Sequence, residues 1–422
     1  MNEPVRLDGA EHGILRDQVD PDALDVTRRL SDAGYQALLV GGCVRDLLLG
    51  AEPKDFDVAT DATPEEVRQL FRRSRLVGRR FRIAHVRYGR KVIEVSTFRR
   101  SHAEDEDERR HSVEGVILRD NVYGSLEEDA FRRDFTVNAL FYDPETEEIL
   151  DYVGGLEDLE RADLRFIGEA EVRLREDPVR LLRAVRFQAK LNFKLDESIE
   201  AALPDAADML SVIPPARLFD EIAKLMMSGS AAAAWAVIAS TPLRAALFPG
   251  TPGDSRLVEL AMANTDDRIA RDLPVTPGFL LAVLMWHDYQ AQCAALTGER
   301  RPAEARLQAA AETLAAQQAV TSMPRRFSQF VRDVWSLQAR LETRLPRQID
   351  RVVQHPRFRA AYDFLVLRAE AGELASGSEP LDEAAQWWTT YQQADQAKRA
   401  DMAEERRAVQ PLRKRRRRRR RG

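Results

Sequence analysis

Asp55 and Asp57, in the segment KDFDV, are the residues of this 422-residue chain whose type and spacing most directly suggest chemistry. In an extended segment, side chains at i and i+2 share a face, about 6.5 to 7 Å apart at the Cα. Upstream, the apolar run Ala37 to Val40 reaches Gly41-Gly42, and a short helical segment, Val44 to Leu49, follows. Paired glycines let backbone N–H groups approach a ligand closely, and the start of a helix adds a positive dipole end, a combination suited to phosphate. Two carboxylates facing a phosphate cradle suit a divalent-metal site for phosphoryl or nucleotidyl transfer. Alone, a Gly-Gly is usually a turn and an Asp-x-Asp a solvated strand end; their succession in one stretch carries the reading.

The elements that must position these groups are legible on both sides. Pro21 to Gly34 has helical spacing (Ala23, Leu24, Val26, Leu30), with Pro21 in the first turn and Gly34 as a stop, and is expected to pack on the catalytic sheet. Thr63-Pro64-Glu65-Glu66 opens a second helix with a Thr cap and an acidic first turn. Residues 76 to 100, LVGRRFRIAHVRYGRKVIEVSTFRR, read as two or three more strands of the same sheet. Within them Glu94 is a lone acid, either a third metal ligand or the partner of a nearby arginine. Residues 101 to 130 are charged and aperiodic, which predicts a flexible loop over the site, and order is expected to return with FRRDFTVNALFYD, residues 131 to 143. There Arg132 and Arg133 set positive charge beside Asp134, and guanidinium groups offer bidentate phosphate contacts.

Beyond the Gly154-Gly155 turn the chain reads as helical. EDPVRLLRAVRFQAKL, residues 176 to 191, has Asp177 as a cap, Pro178 at the first helical position, and Arg180, Arg183 and Arg186 along one flank. A further helix opens at Pro214-Pro215, residues 250 to 275 read as a loop or boundary, and FLLAVLMWHDY reads as a buried helix. His287-Asp288 lies in that run, but the chain's six histidines do not supply the further ligands that a metal-dependent phosphohydrolase needs. PRRFSQFVRDVWSLQARL and HPRFRAAYDFLVLRAEAG are amphipathic, with Trp335 and Phe364 assigned to core and the opposite arginines suited to an RNA backbone.

At this length two to four domains with a substantial core are expected. An apolar content of 44% fits a globular protein, no run approaches the length of a membrane span, and a polar start with two cysteines, Cys43 and Cys293, indicates a cytoplasmic protein without a disulfide framework. The net charge of −5 hides a partition: the nine basic residues from Arg413 to Arg421 leave the remainder at −14. Such a run repels itself, so residues 413–422 are expected to be disordered, and Arg413, Lys414, Arg415, Arg416 and Arg417 suit sequence-blind contact with RNA phosphates.

GGCVRDLLLG followed by KDFDV resembles the class II nucleotidyltransferases, the superfamily of tRNA CCA-adding enzymes and bacterial poly(A) polymerases. RRDFTVNAL is similar to that family's second motif, and Glu176, Asp177 and Arg180 match its nucleotide-selecting motif. The resemblance implies catalytic Asp55, Asp57 and Asp134, the first two holding two Mg²⁺. Asp134 is left between a third catalytic carboxylate and a ribose contact. It implies nucleotide contacts from Gly41, Gly42, Arg45, Arg132, Arg133, Glu176, Asp177 and Arg180, with ATP as substrate. LVGRRFRIAHV and the two arginine-rich helical segments look like those of the poly(A) polymerases. The expected reaction is therefore template-independent transfer of AMP from ATP to RNA 3′ ends, mRNA and other transcripts, with CCA or A addition to tRNA as the alternative. An RNA-binding protein with a dead transferase head would have lost an acid from Asp-x-Asp, and both are present.

The expected fold is α+β. An N-terminal extension (1–20) precedes a nucleotidyltransferase head with a small, mixed, mostly antiparallel sheet and flanking helices (21–150). A helical neck that selects the nucleotide (151–212), a helical RNA-binding region (213–275), a helical C-terminal domain (276–412) and the polybasic tail follow. A monomer is expected, with no membrane association and with RNA-decay proteins as candidate partners of the tail.

Overall fold

In the computed structural model, which describes residues 3–78, 82–100, 123–298, 300–375 and 380–409, the first part of the chain builds an eight-stranded sheet. Its strands in chain order are β1 (Val5–Leu7), β2 (Ala37–Val40), β3 (Asp57–Thr60), β4 (Ser74–Val77), β5 (Ile83–Tyr88), β6 (Lys91–Thr97), β7 (Leu140–Asp143) and β8 (Glu148–Asp151). In space they run β1-β8-β7-β2-β3-β6-β5-β4. Only β3 and β6 pair in parallel; the other neighbours are antiparallel, the mixed sheet expected of an α+β head.

Alternation along the strands gives the sheet two unlike faces. Leu39, Val58, Val95, Ala84 and Tyr142 pack on one face with Val26 and Leu30 of helix Pro21–Asp32, Val44 and Leu47 of helix Gly42–Leu48, and Val67 of helix Pro64–Leu70. Asp20 caps the first of these helices, and Thr63 with Glu66 forms a capping box on the third. On the second face Leu38, Val40, Ala59, Phe141 and Leu150 are covered by Leu126 and Ala130 of helix Leu126–Phe131. Among the described residues that cover stops near β3. The second-face side chains of β4, β5 and β6 are exposed or half-buried.

The structure corrects four expectations. The segment assigned wholly to a loop ends in helix Leu126–Phe131, started by a Ser125/Glu128 capping box. Residues 101–122 lie outside the described residues, as does the tail 413–422. The supposed loop 250–275 contains helix Arg256–Ala270: the Gly and Pro punctuation falls only at its ends, and Leu257, Val258, Ala261, Met262 and Thr265 bury one face. Strand β3 begins at Asp57, so Asp55 precedes the strand instead of lying in it. Finally, Asp163–Leu164 and Lys194–Leu195 form a small parallel pair inside the otherwise helical stretch.

The chain divides into two compact units, residues 1–180 with 191–202, and residues 181–190 with 203–422. The second is helical; Trp335 and Phe364 are buried as expected, Trp335 Nε1 donating to the Ala282 carbonyl at 3.0 Å. His287 Nε2 lies 2.9 Å from Ser255 Oγ. No helix among the described residues is long and apolar enough to cross a membrane.

One glycine in the first unit is fixed by packing. A Cβ on Gly155 would overlap the carbonyl oxygen of Thr136, two residues after Asp134. Overpacking of this kind costs about 1–3 kcal/mol. Gly155→Ala is therefore expected to lower the unfolding free energy by that amount and to depress activity, checked by urea titration; a midpoint unchanged from wild type would show that the turn relaxes freely.

Candidate active site

Strand register assembles the acidic centre. Val40, Asp57, Glu94, His85 and Arg75 sit opposite one another on β2, β3, β6, β5 and β4, one transverse row on the second face. Neighbouring strands lie about 4.8 Å apart, so Asp57 and Glu94 are adjacent carboxylates. Burial pushes the Asp57 carboxyl up to about 6; Glu94 and Asp55 push the same way and Arg133 opposes them. Asp55 is exposed, while Phe56 between the two aspartates is buried in the first-face core, so both acids turn away from that core. Glu94 Oε1 lies 3.3 Å from His85 Nε2, so the side chain paired with it is a histidine in place of the expected arginine.

Among the described residues no three His, Cys, Asp or Glu side chains form a ready-made metal cage. Mg²⁺ does not require one, since it is commonly bound through one or two carboxylates plus substrate phosphates and water. Asp57, whose ionisation is opposed by burial and by the neighbouring Glu94 and Asp55, fits a divalent cation, which would relieve the repulsion among these acids.

Gly41 ends β2 at φ +82, ψ −130, a conformation closed to side-chain-bearing residues, and thereby turns the chain into helix Gly42–Leu48. The Gly41 N–H donates to the Leu140 carbonyl at 3.2 Å, so that group completes the sheet and is not open to a phosphate. The N–H groups of Gly42, Cys43 and Val44, in the first turn, have no intrahelical acceptor. Arg45, 1% exposed, donates through Nη1 to Asn138 Oδ1 at 2.5 Å and through Nη2 to Asp46 Oδ1 at 2.6 Å. Burial pushes the Cys43 thiol beside it up to about 12.

Arg132 and Arg133 are held by a residue not among the expected site groups, Asp129. Asp129, fully buried on helix Leu126–Phe131, accepts from Arg132 Nε at 2.7 Å through Oδ1 and from Arg133 Nη2 at 2.8 Å through Oδ2. It also accepts the Arg99 backbone N–H at 3.2 Å. Arg133 stands over the Phe141 ring, 5.2 Å from its centroid. Asp57, Glu94, Ser96, Arg99, Arg132 and Arg133 share one cleft of about 200 Å³.

A second residue not expected from the sequence, Arg173, ties this cleft to Glu176 and Arg180. Arg173 donates to the carbonyls of Arg132 and Arg133 and, at 3.0 Å, to Glu176 Oε2. Arg180 donates to the same Glu176 oxygen at 2.8 Å. Glu176 closes helix Ala170–Glu176, Asp177 breaks the helix with its Oδ1 accepting the Val179 N–H at 3.3 Å, and a new helix runs Val179–Leu191. Pro178 thus precedes the helix in place of opening it. Asp134 accepts its neighbour Phe135 N–H at 2.9 Å and acts electrostatically on Arg173, whereas the charges acting on Asp57 are Glu94, Arg133 and Asp55. The signals for the missed residues were present: Asp129 stands three and four positions before Arg132 and Arg133, and Arg173 three before Glu176. In the second unit, Arg183 and Arg186 pair with the buried Glu221 at 3.4 and 3.2 Å.

Comparison with known proteins gives the site a context. Residues 37–165 match the family model "Poly A polymerase head domain", 192–253 "Probable RNA and SrmB- binding site of polymerase A", and 298–422 "Polymerase A arginine-rich C-terminus". The chain is 43% identical to poly(A) polymerase I of Salmonella typhimurium over 396 residues, which cover 90% of this chain and 84% of that protein. It is 40% identical to a CCA-adding enzyme of Geobacillus stearothermophilus over 242 residues, 57% of this chain and 58% of that one. A solved Thermotoga maritima CCA-adding enzyme in complex with tRNA shares the fold, with a TM-score of 0.59 at 21% identity, covering 92% of this chain and 86% of that one. With 90% of the chain covered by that poly(A) polymerase and residues 298–422 matched by the arginine-rich C-terminal model, the chain belongs to the poly(A) polymerase family of class II nucleotidyltransferases.

Proposed function

We propose that Asp57, Glu94 and Arg133 mark the place where AMP is transferred from ATP to an RNA 3′ end. Family membership makes the chain a nucleotidyltransferase that polyadenylates RNA without a template. The observation that ties the chemistry to this place is the pair of adjacent carboxylates, Asp57 and Glu94, sharing a cleft with two clamped arginines. Asp55 and Asp57 would hold two Mg²⁺, which when bound supply Lewis acidity at the reacting 3′-hydroxyl and charge neutralisation at the pyrophosphate.

The remaining roles fall to the chain's own groups. Arg132 and Arg133, fixed by Asp129, present guanidinium charge to the triphosphate. The first-turn N–H groups from Gly42 onward supply backbone donors, with Gly41 shaping the turn and Arg45 bracing it through Asn138. Asp134, set toward Arg173, takes the ribose. Glu176, Asp177 and Arg180 read the adenine, the two arginines around Glu176 fixing its carboxylate so that its acceptor geometry selects one base. As the 3′ oxygen bonds to the α-phosphorus, the bond to pyrophosphate breaks and the hydroxyl proton leaves to solvent.

In this reading residues 151–212 serve nucleotide selection, 213–275 and 276–412 serve RNA binding, and the tail adds phosphate affinity and a surface for RNA-decay proteins. Transcripts including mRNA are the substrates of a cytoplasmic monomer. Incubation of an RNA lacking a tRNA-like 3′ end with Mg²⁺ and each of the four NTPs singly tests the reading. Long extension with ATP alone is expected; addition confined to tRNA, with CTP also incorporated, would replace it with CCA addition. Truncation at Pro411 is expected to weaken RNA binding and flatten its salt dependence, and an unchanged slope would remove the tail from the RNA contact.

A further inference from the structure

The half of the second sheet face that no described residue covers carries a grid of positive charge. The β4–β5 ladder places Arg75 opposite His85, and the Arg87 N–H donates to the Arg73 carbonyl at 3.1 Å, extending the ladder so that Arg73 faces Arg87. By strand alternation Arg73, Arg75, His85 and Arg87 all point to the face that bears Asp57 and Glu94. Arg73, Arg75 and Arg87 are exposed, and among the described residues none of them makes an ion pair. The acid beside them on this face is Glu94, which sits against His85.

Like charges directly opposite on neighbouring strands are destabilising. Arg73 against Arg87, with Arg75 one step along, is such an arrangement at a sheet edge, and among the described residues no carboxylate is paired with it. Next to the grid, Val77, Ile83 and Val92 leave apolar surface on the same face, Val77 38% and Val92 36% exposed. The strand ends open onto a cleft of about 670 Å³ whose lining sets Arg29, Arg72, Arg73 and Arg87 against a single acid, Asp22. A cationic grid interleaved with apolar side chains suits a single-stranded polyanion that carries hydrophobic bases.

We propose that the β4–β5 ribbon is a track for the RNA strand, holding the phosphates that precede the reacting 3′-hydroxyl. Arg75 lies in the same row as Asp57, three strands away, so a strand laid along the row runs from the charge grid to the carboxylates. Three strand spacings are about 14 Å, which places Arg73, Arg75 and Arg87 upstream of the chemistry and outside the triphosphate site. This inference rests on the polyadenylation reading for the direction of the RNA, though binding itself does not.

The test is titration of full-length protein with a fluorescent single-stranded RNA ending in a 3′-deoxynucleotide, without ATP, over a range of salt. R73Q/R75Q/R87Q is expected to weaken binding on the order of tenfold and to lower the log–log salt slope by about 2, each lost single-strand phosphate contact removing about 0.7. A control of equal charge, R6Q/R28Q/R161Q, is expected to leave the slope in place. Equal losses in both variants would assign the effect to general charge and overturn the track, as would no loss in either. Should the triple variant fold poorly, the single variant R75Q replaces it: a slope lower by about 0.7 supports the track, and an unchanged slope overturns it. Absence of AMP incorporation by the wild-type protein would count against the polyadenylation reading alone.

Discussion

Replacing Asp57 with Asn is expected to reduce AMP incorporation by about 10³-fold or more and, in metal-free protein, to raise the melting temperature. Both effects come from one feature. Asp57 is mostly buried, adjacent to Glu94 and near Asp55, and these surroundings push its carboxyl from an ordinary 3.8 up to about 6. A carboxyl whose folded value exceeds its unfolded value binds more protons in the native state between the two, so stability falls as pH rises from about 4 to about 6 and stays reduced above that. A shift of this size corresponds to about 3 kcal/mol. Asn keeps the shape without the charge, so D57N should recover much of that figure at neutral pH, about 2–4 °C of melting temperature per kcal/mol. Scanning calorimetry in EDTA at pH 7.5, beside single-turnover incorporation, checks both halves. A variant that incorporates AMP near the wild-type rate, or that melts below the wild type in EDTA, would remove Asp57 from the proposed centre. Mg²⁺ is expected to stabilise the wild type and to leave D57N nearly unmoved, because the wild type alone holds the paired charges that a cation relieves.

The same centre shows what was legible in the sequence. Asp55, Asp57, Arg132 and Arg133 carry their meaning in local pattern, and the alternation of residues 83–97 was enough to place further strands beside them. The parallel pairing of β3 with β6, which makes Glu94 the neighbour of Asp57, is a long-range register that no local spacing encodes. Asp129 was hidden for a different reason: it stood inside a charged segment read as loop, although Ser125 and Glu128 form a capping box and Asp129 lies one turn before the arginines. Helix Arg256–Ala270 is masked in the sequence by the Gly and Pro that flank it on both sides. In Gly41 the cradle was half right, since its positive φ makes the turn while its N–H is already bonded to Leu140. Local pattern locates Asp55, Asp57, Arg132 and Arg133; Glu94 reaches them by long-range pairing, and Asp129, which holds the arginines without reacting, by a helix set in a charged segment.

Asp129→Ala tests that distinction, and is expected to destabilise the first unit by about 3–5 kcal/mol while abolishing activity, although Asp129 touches no substrate in the proposed reaction. Burial alone would raise the Asp129 carboxyl, but the guanidinium groups of Arg133 and Arg132 hold it below the usual carboxylate range. A depressed value means that the carboxylate stabilises the fold at and above ordinary acid pH, and that this contribution disappears as pH falls through the folded value. Alanine leaves two half-buried guanidinium groups and the Arg99 N–H without their acceptor, and removing one partner of a buried ion pair costs more than the pair contributes. Asp129→Asn keeps one acceptor oxygen and should fall between the two. Urea denaturation from pH 7 down to pH 3 separates them: the wild type is expected to lose stability on acidification in a component that D129N lacks. The kinetic signature separates positioning from folding. At a temperature where D129N is fully native, the KM for ATP should rise and the KM for RNA stay near wild type, because the loosened Arg132 and Arg133 face the triphosphate and not the RNA track. A D129N protein with unchanged KM for ATP would mean that these arginines keep their places without Asp129 and that its burial serves stability alone.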